Sequence, residues 1–473
     1  MLSNLLNMLK RGIIICISLL SAQCLKAQQY GLFNTKTLFD GFENPAQKTF
    51  TLDSSRKFAS NFLLPYFGVN AASKGNSDFI RKAINENKTD NSLLPMGQKG
   101  NNTVAQNTNI YLFNLKIFNS YKYQKELGFS WQLRTDAHLN YTNETLDLIN
   151  NYKSLIAQPR ASSAFDNDGY AQSYHQFSVS YRENYTKKLA FGVKFSILSG
   201  TTYNKLDITD SELKDIAGVT NIAFNGSYRG TFIKGKEISY NTFMPSFRNP
   251  GASISLGTSY NAKSGVFIMA NLKDLGFIRW NSKSYSKDIN ALIPLTGAES
   301  NKEMRNRITD AITLQPDTTS FYSLTNAKAD FMISKSFGFY TPGLIVSKNL
   351  FYKGGDAAFV NKFKYENFSV TAVPTYNFNN LFFMGLQGMY QTPNFEVFLG
   401  SDDLFKTVSQ AKGYFNKDAA TGKGYNGAAV YFGLAIKFGN FVEHPLNSST
   451  MPGVGDEPTS LFKRFFSIFS KKR

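Results

Sequence analysis

A strict alternation over Gly427–Phe438 constrains the fold of this chain more than any other stretch. Alternate residues of this stretch form two rows. One row is wholly apolar, and it contains Val430, Phe432, Leu434, Ile436 and Phe438. The other row contains Ala429, Tyr431, Gly433, Ala435 and Lys437. Because successive side chains of a strand point to opposite faces, the stretch predicts a β-strand with one apolar side.

The same alternation recurs from Ile110 onward, in segments such as Leu189–Leu198, Ala252–Tyr260, Phe368–Val373 and Phe395–Gly400. Turn residues separate these segments, as hairpins require. Several run to about 9–11 residues, the length of a tilted strand that crosses a bilayer. A secreted array of β-sandwiches also alternates, but the strand length and the aromatic content favour a membrane barrel. We predict an all-β fold, a transmembrane antiparallel β-barrel of about 14 strands, between about 12 and 16.

The first 27 residues have the order of a secretory signal peptide. Lys10 and Arg11 precede the apolar run Gly12–Leu20, and small and polar residues follow up to Ala27. Both cysteines, Cys16 and Cys24, lie in this segment, so the mature chain is expected to contain none. That excludes disulfides, thiolate metal sites and a cysteine nucleophile. Lipidation of Cys24 is disfavoured, because a glutamine precedes it where lipoproteins carry a small residue.

The composition of the mature chain indicates the environment in which it folds. After the signal peptide no run of about 18 apolar residues exists, so an exported chain of this kind can span a membrane only as a closed barrel. Aromatic residues make up 15% of the chain, which suits a lipid-facing band with interfacial girdles. The net charge of +18 is better matched by outer-membrane lipid headgroups and lipopolysaccharide than by nucleic acid. Solvated, lysine-rich loops explain that charge equally well.

Four regions follow from these patterns. We assign residues 1–27 to the signal peptide and residues 28–109 to an irregular N-terminal region, either a plug or a first strand. Residues 110–440 form the predicted barrel, and residues 441–473 a periplasmic linker with a basic tail. Three long polar connections are expected to be outer loops: Asn143–Tyr170, Ser284–Leu324 and Lys406–Tyr425.

Several motifs, in order along the chain, carry a resemblance to a known family. They include Asn44-Pro45-Ala46, Leu64-Pro65-Tyr66-Phe67-Gly68 and the closing-strand signal formed by Gly433, Ile436 and Phe438. The chain resembles a family of Bacteroidota outer-membrane barrels of unassigned function. That family is distantly similar to FadL-like transport barrels and to barrel components of the type IX secretion system. The resemblance implies a cell outer-membrane location, handling by the barrel-assembly machinery and no catalytic residue.

The most distinctive internal stretch is Asp274–Trp280. One hypothesis is that Asp274 and Arg279 pair across a bend and narrow the lumen. We favour a turn, in which Asp274 starts the reversal, Gly276 supplies an unusual backbone conformation and Trp280 anchors at the membrane interface.

No enzymatic site is apparent. His138, His175 and His444 have no partner at metal-ligand spacing, and no nucleophile elbow accompanies them. We therefore expect a non-enzyme without metal or cofactor. At the alternate strand positions expected to face the barrel interior, six residues are candidates either for ligand contact or for ordinary ion pairs inside the barrel: Lys194, Phe383, Gln387, Glu396, Phe398 and Lys437.

The C-terminal tail predicts a short amphipathic helix. At about 100° per residue, Phe462, Phe465, Phe466 and Phe469 share one side and basic residues take the other. Such a helix would dock on the periplasmic leaflet or in a groove of a partner protein. A disordered basic tail is the alternative.

Two functions remain open. The barrel either passes or binds a small apolar molecule in a FadL-like manner, using inward apolar residues such as Phe383 and Phe398. Alternatively it is a non-enzymatic scaffold that holds secretion, gliding or surface-attachment machinery at the outer membrane.

Overall fold

A computed structural model describes residues 29–50, 56–75, 102–119, 124–156, 161–233, 240–378, 381–416, 427–441 and 461–462. The predicted signal peptide, His444 and three of the four tail phenylalanines (Phe465, Phe466 and Phe469) lie outside these residues. Leu461 and Phe462 belong to a short C-terminal helix. In the described part of the chain, no helix is long and apolar enough to cross a bilayer.

The described residues form twenty β-strands and four α-helices. The strands are β1 Arg56–Ser60, β2 Tyr66–Lys74, β3 Asn102–Asn119, β4 Lys125–Tyr141, β5 Ala161–Ser162, β6 Asp168–Asn184, β7 Leu189–Ile216, β8 Val219–Gly230, β9 Pro250–Asn261, β10 Val266–Trp280, β11 Tyr285–Leu295, β12 Asp317–Thr318, β13 Phe321–Leu324, β14 Lys328–Lys335, β15 Tyr340–Asn349, β16 Gly355–Tyr365, β17 Phe368–Asn377, β18 Leu381–Gln391, β19 Phe395–Ser401 and β20 Gly427–Phe441. The helices are α1 Asp40–Glu43, α2 Asn143–Asn150, α3 Asn301–Thr313 and α4 Leu404–Asn416.

The strands close into one antiparallel barrel of 14 wall strands, which confirms the predicted fold class. β1 and β2 together form the first wall strand, and β13 and β14 together form the eighth. β20 closes the barrel, since it pairs with β19 on one side and with β1 and β2 on the other. The wall therefore includes strands that precede Ile110.

The two faces of the wall have opposite character. On β20 the row Val430, Phe432 and Ile436 is exposed on the outside, whereas Tyr431 and Ala435 of the other row are buried inside. The other wall strands repeat this arrangement, with exposed outward residues such as Phe195, Leu256, Phe331, Leu344, Phe359, Val370 and Leu399. Many buried inward residues are polar, among them Gln132, Gln176, Ser196, Ser255, Thr371 and Gln387. An apolar outside around a polar inside is the reverse of a water-soluble barrel and is typical of a membrane barrel.

The two ends of the barrel differ. Short turns join β6 to β7, β9 to β10, β14 to β15, β16 to β17 and β18 to β19, and the same end holds the start of β1 and the end of β20. We call this the inner end. The opposite, outer end carries the longer connections. Short turns on one side and long loops on the other are a feature of outer-membrane barrels.

A small second core stands on the outer end. β7 is 28 residues long, and its second half continues past the wall to pair with β8, which in turn pairs with β11. Helices α2 and α3 cover one face of this sheet, around buried residues such as Tyr152, Leu213, Ile222 and Met304. The long polar connections predicted at Asn143–Tyr170, Ser284–Leu324 and Lys406–Tyr425 lie at this end, and each contains a helix or most of one.

Candidate functional site

Residues 29–50 fill the interior of the barrel, and we call this segment the plug. Nearly all its side chains are buried, although it contains only the short helix α1 and one 3₁₀ turn. The plug has internal hydrogen bonds, such as that from the Phe50 N–H to the Lys36 carbonyl at 2.6 Å, but other backbone groups, among them the Leu38 and Thr49 N–H groups, bind side chains of the surrounding wall. The wall contacts of the plug therefore decide whether the barrel is open.

An ionic cluster at the centre of the lumen holds the plug. The Glu43 carboxylate of α1 accepts from Arg134 Nη2 of β4 at 2.5 Å and pairs with Lys273 of β10. Arg134 also pairs with Asp274, whose second oxygen lies 3.0 Å from Lys194 Nζ of β7. Burial alone would raise the pKa of Glu43, but Arg134 and Lys273 hold that pKa well below its ordinary value. The carboxylate is therefore ionised and bridges two distant strands through the plug.

A second set of contacts secures the end of the plug near the inner opening. The Glu126 carboxylate of β4 accepts from the Thr49 hydroxyl at 2.8 Å and from the Thr49 backbone N–H at 3.2 Å. Arg182 of β6 lies 3.6 Å from the same carboxylate and donates to the Ala46 carbonyl at 3.0 Å. Lys116 of β3 completes the group at 3.7 Å from Glu126. Charged side chains of three strands thus bind one short stretch of the plug.

Aromatic packing holds the middle of the plug. The Phe39 ring lies 4.7 Å from the Tyr66 ring and 5.4 Å from the Phe398 ring, and the Tyr111 ring is 5.9 Å away. Gly433 of β20 faces this group, and a Cβ there would lie 2.4 Å from Phe398 and 2.8 Å from Phe39. The glycine of the closing-strand signal therefore leaves room for a plug side chain against the wall.

Two further glycines allow the Asn44-Pro45-Ala46 motif to approach the wall. A Cβ on Gly192 of β7 would lie 2.0 Å from the Pro45 carbonyl oxygen, which belongs to rigid backbone. A Cβ on Gly257 of β9 would lie 3.1 Å from the Ala46 Cβ. The motif therefore fits only where neighbouring strands carry no side chain.

Two small spaces lie between the plug and the wall. An apolar cavity of about 20 Å³ remains beside Phe39, Tyr66 and Tyr111, and a polar cavity of about 20 Å³ lies near Arg134 and Lys328. Each volume holds roughly one water molecule. Passage of anything larger through either space requires the plug to move.

The first wall strand is broken next to the apolar cavity. β1 pairs with β20 up to Ser60 opposite Ile436, and pairing resumes in β2 at Phe67 opposite Phe432. Between them, residues 61–65 leave the strand path with positive φ at Phe62 and Leu63. Pro65 has no N–H to contribute to a ladder. Phe62, Leu63 and Leu64 project outward and are 50%, 68% and 55% exposed.

The Asn61 side chain bridges this break. Its Nδ2 donates to the Leu64 carbonyl at 2.9 Å, and its Oδ1 accepts from the Asn114 backbone N–H at 2.9 Å. Asn61 is fully buried. A side chain thus replaces the backbone ladder at the point where the wall separates the apolar cavity from the outer apolar band.

All six predicted lumen residues are buried on the inside of the wall, but they do not form one site. Three contact the first half of the plug: Phe398 packs on Phe39, Glu396 accepts from the Leu38 N–H at 2.7 Å, and Gln387 lies against Gly31. Lys437 lies over the Phe50 ring, and Lys194 joins the ionic cluster. Phe383 is separate, near the outer end, beneath Lys406 of α4.

The favoured turn at Asp274–Trp280 is wrong, and so is the alternative pairing of Asp274 with Arg279. The stretch continues β10, with a bulge between Leu272 and Leu275 at which Asp274 itself takes a positive φ of 52°. This bulge turns Asp274 inward to Arg134, while Arg279 is exposed. Trp280 is buried inside and donates to Ser323 at 2.8 Å, so it is not an interfacial anchor.

His175 makes structural contacts on the inside of the wall. His175 Nδ1 accepts from Trp131 Nε1 at 3.1 Å, and its Nε2 lies 2.6 Å from the Phe243 carbonyl. Among the described residues, no group of three His, Cys, Asp or Glu side chains could hold a metal ion.

The first residues of the tail helix lie against the inner rim of the barrel. The Leu461 and Phe462 backbone N–H groups donate to the Glu183 carboxylate at 3.2 and 2.8 Å. The Phe462 ring packs near Tyr181 and Phe191. A carboxylate at a helix N-terminus is electrostatically favourable. At this one phenylalanine, the surface that receives the tail belongs to the barrel itself.

Three solved structures give a comparison. A TodX deltaS2S3 mutant monoaromatic hydrocarbon channel is 8% identical, with a TM-score of 0.42 over 88% of this chain and 96% of that chain. A Pseudomonas aeruginosa FadL homologue is 9% identical, with a TM-score of 0.43 over 88% of this chain and 100% of that chain. The siderophore receptor PirA from Pseudomonas aeruginosa is 9% identical, with a TM-score of 0.21 over 83% of this chain and 81% of that chain.

No curated protein matches the sequence. The model of a family of unknown function, DUF5723, matches residues 51–402.

Proposed function

Because the chain belongs to the DUF5723 family, which has no known function, we propose a function from its geometry. The protein is an outer-membrane barrel that binds a small apolar molecule behind the break in its first wall strand. When the plug shifts, that molecule passes between the lumen and the apolar interior of the membrane. The observation that carries this proposal is the position of the break at residues 61–65.

The break connects two apolar regions. On the outside, Phe62, Leu63 and Leu64 extend the exposed apolar band, and the Phe62 ring lies 4.8 Å from the Phe438 ring. On the inside, Tyr66 and Tyr111 flank the break and line the small cavity beside Phe39. An apolar molecule that enters at the break therefore meets the apolar side chains outside and then the aromatic side of the cavity, whose other side is formed by Asp40, Glu43 and Asn44.

The plug supplies the gate of this proposal. Phe39 fills the space that faces the break, and the cavity left beside it is too small for more than a water molecule. The plug contains mainly turns and is held by side-chain contacts, so it can be displaced without disrupting a wall ladder. Segments with little regular structure have low local stability. A shift of Phe39 together with opening of the Asn61 bridge would join the cavity to the break.

Photolabelling of the mature barrel in lipid nanodiscs tests the proposal. A diazirine-bearing fatty alcohol serves as the apolar probe, and labelled residues are mapped by mass spectrometry. We expect labelling at Leu63 on the outside and at Tyr66 and Tyr111 on the inside, with little at Tyr174, a buried interior residue away from the break. Labelling of Tyr66 and Tyr111 at the level of Tyr174 would contradict the proposal.

A mobile gate predicts a further difference. Covalent attachment of the plug to the wall should lower labelling at Tyr66 and Tyr111 but leave labelling of the lipid-facing residues Leu344 and Phe359 unchanged. Equal labelling of the inner tyrosines with the plug free and attached would exclude the gate.

A further inference from the structure

A cleft of about 320 Å³ opens on the outer end of the barrel, away from the plug. It exists because the sheet divides there. β7 pairs with β9 as far as Ser199 opposite Pro250, and beyond that point β7 leaves the wall to pair with β8. β13 stays in the wall beside β10. The cleft lies between the departing hairpin and β13, with the turn after β15 at its side.

Two cations face each other in this cleft. Lys205 of β7 and Arg229 of β8 are direct cross-strand partners, and both are exposed. Like charges directly opposite in an antiparallel pair are destabilising. Lys205 has partial compensation from Asp207 at 3.5 Å. The Arg229 guanidinium lies 6.0 Å from the centre of the Phe321 ring, and no carboxylate among the described residues forms an ion pair with it.

Aromatic rings form the opposite side. Phe351 is 42% exposed and lines the cleft. Tyr322 lies on the outward row of β13, opposite Arg279 and with its ring 5.9 Å from the Phe277 ring, so it is directed away from the cations. Tyr352 is fixed, because its ring stacks on Tyr170 at 4.2 Å and its hydroxyl donates to the Leu324 carbonyl at 2.8 Å. The Ser227 and Ser323 side chains add hydroxyl groups. A tyrosine ring held in place beside hydroxyl groups and two cations is characteristic of a binding surface.

We propose that this cleft binds an acidic carbohydrate. Arg229 and Lys205 hold the carboxylate of a uronic acid, and the apolar C–H face of the sugar ring lies against Tyr352. A guanidinium matches a carboxylate with two parallel hydrogen bonds. The volume is at the lower end of the range for small-molecule pockets, about 300–1,000 Å³, and suits one or two sugar units of a longer chain. This binding is independent of the plug and of passage through the wall.

Calorimetric titration of the full mature barrel in nanodiscs tests the proposal, with trigalacturonate as the acidic probe and maltotriose as the neutral one. We expect trigalacturonate to bind and maltotriose to bind far more weakly. Arg229→Gln and Tyr352→Ala should each weaken trigalacturonate binding about tenfold or more, the first because a charged hydrogen bond is lost and the second because the ring surface beneath the sugar is lost. Added salt should weaken binding further.

The matched control is Lys214→Gln. Lys214 lies on the same extension of β7, is partly exposed and pairs with Glu212, but it does not line the cleft. This variant should bind trigalacturonate like the wild type. Three results would overturn the proposal: no binding of trigalacturonate, equal binding of maltotriose, or equal weakening by Lys214→Gln and Arg229→Gln. The last result would indicate general attraction to a basic surface.

Discussion

Glu43 of the plug and Arg134 of β4 form an ion pair of 2.5 Å inside the barrel, and Lys273 of β10 binds the same carboxylate. All three side chains lie largely out of solvent. A buried charge that loses its partner is more costly than an exposed one, because it cannot regain full hydration. This one carboxylate therefore has a large influence on the position of the plug.

Glu43→Gln should release the plug. Removal of one partner from a buried ion pair costs about 3–5 kcal/mol, and here it leaves Arg134 and Lys273 without their shared carboxylate. We expect conductance in planar bilayers to rise from the closed level of the wild type, and residues 29–50 to become sensitive to protease. The matched control is Glu212→Gln, which removes an exposed carboxylate from the extension of β7 beyond the wall. This variant should keep the conductance of the wild type. A closed, protease-resistant Glu43→Gln barrel would contradict this role.

Gly192→Ala should destabilise the plugged barrel. The added Cβ would meet the Pro45 carbonyl, and backbone cannot move aside as a flexible side chain can. Overpacking of this kind costs about 1–3 kcal/mol or more. Gly388→Ala is the matched control, since a Cβ there meets no atom within 4 Å. The readout is the temperature at which the folded gel band converts to the unfolded one. Equal temperatures for the two variants would argue against a tight contact at Pro45.

A disulfide between Ala46→Cys and Gly257→Cys should lock the plug. The two Cβ positions lie 3.1 Å apart, within a few tenths of an ångström of the usual lower limit of about 3.5 Å for a disulfide. In the mature chain these would be the only cysteines if the signal peptide is removed as predicted. We expect oxidation to suppress inner photolabelling and reduction to restore it. Each single-cysteine variant should give the same labelling under oxidising and reducing conditions.

The stability of the plug should depend on Asp40. Burial raises the pKa of this carboxyl from 3.8 to about 6, against the hydrogen bonds from Asn44 and Thr35 that lower it. Since the folded state holds the proton more tightly, its advantage is complete below pH about 4 and is lost as pH rises to about 6. The melting temperature of the wild type should therefore fall across this interval relative to that of Asp40→Asn. Parallel curves would show that Asp40 does not titrate in this range.

The sequence predicted the wall far better than the interior. Alternation is a local property, so it located β20, the inward row of β18–β20 and the approximate number of strands. Every inward residue proposed from parity is buried inside the barrel. The alternation along a strand does not show which inward residues contact the plug, because residues in contact, such as Phe398 and Phe39, are far apart in the chain. The same holds for Glu43 and Arg134, which no sequence pattern connects.

Two local signals were open to a better interpretation. Asp274-Leu275-Gly276 has the composition of a turn, but the strand continues through it with a bulge that directs Asp274 inward. Ser300 and Glu303 form a capping box at the start of α3, and this spacing is visible in the sequence. It could have identified a helix in a region that we expected to be a polar loop.

The course of the plug limits where a bulky group can be attached to the chain. Its first residues lie toward the outer end, where Tyr30 donates to Asp356 at 2.6 Å, and its last residues lie near Glu126 at the inner end. Gln29, the first described residue, is buried inside the lumen, so a bulky group attached at this position would compete with seating of the plug. Phe441 ends β20 at the inner end, opposite Arg56, so a bulky group attached there would not meet the plug.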